Sequence, residues 1–236
     1  MCIRDSALIG YDKNDLYSYA AKPLEIAALD MASLKGKRFG MVDTDAQDSL
    51  LQRAAKEIQQ AGGEVIEVTL PEIDLDLFVQ ILDTDMKVDL PKYIASYGHE
   101  SLSVKNIADI IAFNNQNADL HAPYGQGIFK SIAKDTTDYE AFQIKKKAFM
   151  KELTLALDSL LEKHQLDAFL TLDYFTSSYL ATSHYSAIGI PIGYYEDGKP
   201  QNMSMIAKGK QEQLLIEMAA AYEKIAPYRK LPEFYP

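Results

Sequence analysis

The chain has 236 residues, 47% of them apolar and 25% charged, which suits a soluble globular protein with enough length to bury a sizeable core. Its formal net charge of −10 argues against a nucleic-acid surface, which needs clustered Lys and Arg, and no apolar run approaches the length of a membrane span. One cysteine, Cys2, leaves no basis for a disulfide or a cysteine-based metal or redox site.

The first six residues, Met-Cys-Ile-Arg-Asp-Ser, can be encoded by ATG TGT ATA AGA GAC AGN, the transposon-end adaptor of sequencing libraries. Residues 1–6 are therefore read as a translated adaptor and set aside from fold reasoning, so that Cys2 is not native and the true N-terminus is missing. After a connecting stretch with Pro23, Leu34 to Val42 reads as a basic turn entering a buried strand. Ser49 to Ala61 reads as an amphipathic helix with Leu50, Leu51, Ala54, Ala55 and Ile58 on one side, ended by Gly62-Gly63. An alternating strand follows from Glu64 to Leu70, so strand, helix and strand form a βαβ unit with parallel strands.

Residues Ile73 to Tyr97 read as helix interrupted near Pro91, whose ring removes a donor and clashes with the preceding turn. A long helix is expected from Tyr139 to Lys163, with Phe142, Phe149, Met150, Leu153, Leu157, Leu160 and Leu161 on its apolar side. The basic run Lys145-Lys146-Lys147 falls on this helix and reads as a solvated face. Leu166 to Leu170 is the next strand. Ala187 to Tyr194 and Gln201 to Ala207 then make a hairpin turned by Glu196-Asp197-Gly198, and a last amphipathic helix starts at about Gln211 with Leu214, Leu215, Met218, Ala219 and Tyr222 on one face. No internal repeat or low-complexity segment appears.

The C-terminal stretch, A-T-S-H-Y-S-A-I-G-I-P-I-G-Y-Y-E-D-G-K-P and the helix that contains E-Q-L-L and A-Y-E, resembles the C-terminal signature of the amidase signature family of serine amidohydrolases. The matching residues are Tyr185, Ala187, Ile188, Pro191, Gly193, Asp197, Gly198, Pro200, Ile206, Glu212, Leu214, Leu215, Ala221, Tyr222 and Glu223. The family's Gly and Pro around Tyr185 are His184 and Ser186 here, and two further family glycines fall on Asn202 and Ala207, which implies an ordinary strand backbone at Ala207. Four more segments resemble the family in the same order: Ile9 to Asp15, Leu34 to Val42, Val104 to Asn117 with Tyr124-Gly125-Gln126, and Leu166 to Leu170. The resemblance runs from Ile9 to Pro232. It implies an α/β fold, the C-terminal half of the amidase signature fold, with a mixed sheet flanked by helices, an incomplete core, and residues 7–236 as one partial amidase domain.

Members of that family are understood to use a Ser nucleophile, a second Ser in a cis peptide and a Lys base, set in a glycine- and serine-rich stretch whose backbone faces the oxyanion. This sequence lacks such a constellation, so the triad is expected upstream of the chain and the fragment itself is expected to be inactive. Thr176-Ser177-Ser178 has no flanking glycine and reads as a polar loop or helix start. Ser131-Ile132-Ala133-Lys134 spells S-x-x-K without its companion motifs. His99, His121, His164 and His184 are scattered without i, i+4 partners, and Asp83 and Asp85 suit a solvated helix face, so no metal and no cofactor is expected.

By the same resemblance, this half would supply one wall of a substrate pocket. The candidates are Phe113, Asn114, Tyr124, Gln126, Tyr174, Thr176, His184 and Tyr185. Against that, Phe113 and Tyr185 suit packing, and Asn114 and Gln126 suit capping or bridging of backbone groups. His184, standing where the family has glycine, is the best candidate for substrate selectivity. The expected partner is a small-molecule amide met by the full-length parent, with no nucleic acid and no membrane; the oligomeric state is not readable. The expected location is the cytoplasm, with a signal peptide left open by the missing N-terminus. Two other readings stand beside the amidase fragment. One is a non-catalytic α/β small-molecule-binding module, and the other a fragment of the A-type chain of an aminoacyl-tRNA amidotransferase.

Overall fold

The structure, a computed structural model, describes residues 11–13 and 23–231. Residues 1–6 and most of the Ile9 to Asp15 segment lie outside that range. The chain divides into two compact units, Met1–Glu72 with Lys151–Pro236, and Ile73–Met150. The reading of residues 7–236 as one partial domain draws no such division.

The first unit is built on a five-stranded mixed sheet in the order β2-β1-β3-β5-β4. Strand β1 (Arg38–Val42) leads through helix α1 (Ser49–Gln60) to β2 (Glu64–Val68), which lies parallel to it, as the βαβ pattern requires. Asp48 starts α1 by accepting the backbone N–H groups of Leu50 and Leu51, both at 2.9 Å. The five apolar residues expected on its inner face are all buried. Strand β3 (Ala168–Leu172) pairs parallel to β1 on the other side, and β5 (Pro200–Ala207) then joins β3 and β4 (Ser186–Tyr194) antiparallel to both. The hairpin turns at Gly198, whose φ of 83° is open to glycine at no steric cost. Ala207 sits in β5 with ordinary strand backbone, buried against the core.

Strand alternation sends Phe39, Met41, Leu170, Met203, Met205, Ile190 and Ile192 into one core with α1 and the C-terminal helix α8 (Glu212–Ile225). From α8, Leu215, Met218, Ala219 and Tyr222 enter that core and Leu214 packs at its edge. Phe169 and Ile206, opposite each other in register, point the other way and are buried as well.

In the second unit, helix α2 (Leu75–Tyr97) runs unbroken through Pro91. This corrects the expected interruption: a proline deletes one donor, and the i→i−4 bonds on either side are enough to carry the helix across it. Helices α3 (Ile107–Gln116), α4 (Ala118–His121) and α5 (Gly127–Lys134) follow, then the long α6 (Tyr139–His164), within which the unit boundary falls. Leu77, Ile81 and Phe142 form a small core with Phe149 packed on it. Lys145 and Lys147 are exposed, as a solvated face should be, whereas Lys146 turns in to pair with Asp85 at 2.5 Å.

Candidate functional site

Strand β1 is followed in sheet order by β2 on one side and β3 on the other, so the connections diverge between the carboxyl ends of β1 and β3. Ligands of open α/β sheets bind at such a divergence. Here the loop residues are held by a network of short polar contacts. The Asp45 carboxylate accepts the Thr171 hydroxyl at 2.6 Å and the Leu172 backbone N–H at 2.8 Å. Thr69 donates to Asp43. Asp173, with φ at 46°, accepts from Asn202 Nδ2 at 2.9 Å, and its carbonyl accepts the Ser204 hydroxyl at 2.6 Å. None of Asp45, Asp173, Asn202 or Ser204 stood out in the sequence as a site residue. The available signal lies just after Leu166 to Leu170, where the family usually has a proline-containing segment and this chain has Thr171-Leu172-Asp173-Tyr174.

That network presents Tyr174 and Phe175 to solvent, 75% and 66% exposed, with their rings 5.4 Å apart. Thr176 is buried, and its hydroxyl has no hydrogen-bond partner among the described residues. It begins helix α7 (Ser177–Ser183), so Thr176-Ser177-Ser178 is a helix start. α7 ends at His184 in the left-handed conformation, φ 56°, with the side chain exposed. The family's glycine at this position thus has a backbone reason, and Gly209 packs so closely on the His184 carbonyl that a Cβ there would come within 2.6 Å of it. Replacing His184 with glycine is expected to raise stability by roughly 0.5 kcal/mol, the left-handed penalty less glycine's extra chain entropy, read as a small rise in Tm. Tyr185 is buried and donates to Asp158 Oδ1 of α6 at 2.5 Å, which ties the start of β4 to that helix. Burial first, and then this hydrogen bond, push its phenol well above the ordinary tyrosine range.

The other four candidates belong to the second unit. Phe113 stacks on the His121 ring, centroids 4.4 Å apart and planes within 5°, and its carbonyl lies 3.1 Å from His121 Nδ1. Asn114 donates to Gln126 Oε1 at 3.1 Å, and Gln126 donates to Asn115 Oδ1 at 2.8 Å, so these amides partner each other and not backbone groups. Tyr124 is fully exposed. Tyr174, Thr176, His184 and Tyr185 lie in the first unit. Among the described residues there is no group of three or more His, Cys, Asp or Glu placed to hold a metal ion, and no helix is long and apolar enough to cross a membrane.

Comparison with models of protein families gives no match. A probable amidase of Arabidopsis thaliana is 31% identical over 243 residues, which cover 97% of this chain and 46% of that protein. The A-type chain of the glutamyl-tRNA(Gln) amidotransferase of Lactococcus lactis is 23% identical over 95% of this chain and 52% of its own length. Among solved structures, an amidase family protein from Bacillus anthracis superposes with a TM-score of 0.87 at 24% identity, covering 97% of this chain and 47% of that one. The peptide amidase of Stenotrophomonas maltophilia gives 0.81 at 25% identity, over 95% of this chain and 51% of that one. The chain spans about half the length of the relatives it matches.

Proposed function

Because the chain belongs to the amidase signature family, we propose that it is the C-terminal part of an enzyme that hydrolyses a carboxamide C–N bond. The observation that carries this reading is the coverage: the plant relative matches along 97% of this chain, yet the chain accounts for only 46% of that protein. In this reading a serine in the other half attacks the amide carbonyl, and a second serine and a lysine move the proton. The tetrahedral intermediate expels ammonia or an amine, and water then releases the acid from the acyl-enzyme. This half contributes the sheet and one wall of the pocket, with Tyr174, Thr176 and His184 around the β3 loop. Tyr185 acts from behind, as an anchor for the strand that follows His184. The substrate is a small-molecule carboxamide and the compartment the cytoplasm.

A second reading, a fragment of the A-type chain of an amidotransferase, draws on the Lactococcus match; the higher identity to the plant protein, 31% against 23%, favours a stand-alone amidase. The 236-residue chain is expected to liberate no ammonia from acetamide, benzamide or a peptide amide, whereas the complete protein cloned from its locus does so. Ammonia release by the chain alone would refute the proposal.

A further inference from the structure

Helix α2 carries apolar side chains on two faces, and only one of them is packed. Leu77, Ile81 and Thr84 are buried, the first two in the small core with Phe142. On another face Val79, Leu82, Met86, Leu90 and Tyr93 recur every three or four residues, the spacing of a helix stripe that faces apolar surroundings. Here the stripe is open: Val79, Leu82, Met86 and Tyr93 are all exposed. With Ile128 and Ile132 of α5 it lines a groove of about 870 Å³, within the roughly 300–1,000 Å³ usual for small-molecule sites. Every residue of the groove belongs to the second unit.

The charges of the groove are of one sign. Asp83, Asp85 and Asp89 line it, and among the described residues no Lys, Arg or His does. Asp85 is already paired with Lys146 at 2.5 Å, and the exposed Asp89 with Lys92 at 3.1 Å. Asp83 is different. It is half-buried and has no hydrogen bond or ion pair among the described residues. Lys87, one turn along α2, donates instead to the Asp135 carbonyl. Asp85 also keeps one oxygen, Oδ1, buried without a hydrogen-bond partner. A half-buried carboxylate beside apolar side chains gains more from a cation than one in open water.

We propose that the groove between α2 and α5 binds a small amphiphilic cation, an apolar body with one protonated amine, whose apolar part lies on Leu82, Met86 and Ile128 and whose ammonium meets Asp83. The lining selects this class from both sides. A neutral apolar molecule fills the stripe but leaves Asp83 without a partner, and an anion meets three carboxylates. A small hydrophilic cation leaves the stripe in water. The inference does not rest on the amide chemistry proposed above, because it uses residues of the second unit alone.

Calorimetric titration with octylamine, octanol and octanoate at pH 7 tests it, on the complete protein cloned from the locus that encodes this chain and on the 236-residue chain. Octylamine, protonated at this pH, is expected to bind both proteins about 10-fold more tightly than octanol, and octanoate more weakly still. Asp83→Asn is expected to leave Tm unchanged and to bring octylamine to the affinity of octanol. Ile128→Asn, at a side chain 74% exposed, is expected to weaken octylamine and octanol alike by about 5-fold. Equal affinity of the unaltered protein for octylamine and octanol overturns the proposal, since the groove is then an apolar surface only. So does octylamine binding that neither variant changes, which places the amine elsewhere. Binding by the 236-residue chain that the complete protein lacks overturns it too, because another part of the protein then fills the groove. A complete protein that binds the amine but hydrolyses no carboxamide refutes the function proposed above and leaves the groove standing.

Discussion

Replacing Tyr222 with alanine is expected to cost about 4 kcal/mol, the range for deleting a large buried ring, and to lower Tm by roughly 10 °C. Tyr222 is fully buried in the core between α1, α8 and the sheet. Its hydroxyl donates to Glu57 Oε2 at 2.7 Å, and Glu57 also accepts from Tyr228, over whose ring the Arg53 guanidinium lies at 4.2 Å. Two effects therefore add in the alanine variant: a cavity, and a carboxylate of α1 that loses one of its donors. The variant Tyr222→Phe separates them. It keeps the ring and leaves Tyr228 on Glu57, so its cost should be about 1 kcal/mol. Urea unfolding of the three proteins decides the matter. Similar costs for the phenylalanine and alanine variants would mean that the polar bridge, and not the packing, holds α8 to α1.

Local pattern made much of this unit legible in the sequence. The stripe on α1 and the Asp197-Gly198 turn are short-range signals, and the structure places both as the residues dictate. The helix through Pro91 was not legible, because the rule for proline concerns a single lost donor and the surrounding helix outweighs it. Sheet order lies beyond such signals. β3 pairs with β1 although Asp45 and Thr171, which join their ends, are 126 residues apart in sequence. The candidate site is legible in the same uneven way. His184 stood out because the family has glycine there, and its left-handed backbone explains that glycine without any appeal to substrate. The Asn114–Gln126 pair could not be foreseen as a pair, since only the fold of the intervening loop and α4 brings them within 3.1 Å.

Above pH 10 the folded state is expected to lose stability steeply, and the cause lies in buried phenols. Burial, followed by the hydrogen bond to Asp158, raises Tyr185; burial, followed by the hydrogen bond to Glu57, raises Tyr222. Tyr195, held by burial and by its bond to Asp48 at 2.6 Å, is pushed up to about 12. In each case the folded protein keeps a proton that the unfolded chain gives up near pH 10. The stabilisation is thus fully present below pH 10 and is lost as pH rises toward the folded value, because there the unfolded state binds fewer protons. Each independent site steepens the loss by at most about 1.4 kcal/mol per pH unit. Tyr222 and Tyr228 share Glu57 and titrate together, so they do not count as two full sites. Burial works to lower Lys208, but its hydrogen bonds and charge contacts with Asp158 and Glu162 outweigh that and raise it; the group is exposed enough to add little. Unfolding free energy measured in urea at pH 8, 10 and 11 should fall by roughly 2 kcal/mol over the last step, two to three such sites contributing together. Tyr185→Phe and Tyr222→Phe combined should be less stable at pH 8 and lose only about half as much from pH 10 to 11, Tyr195 still contributing. An undiminished slope in that double variant would place the alkaline weakness elsewhere in the chain.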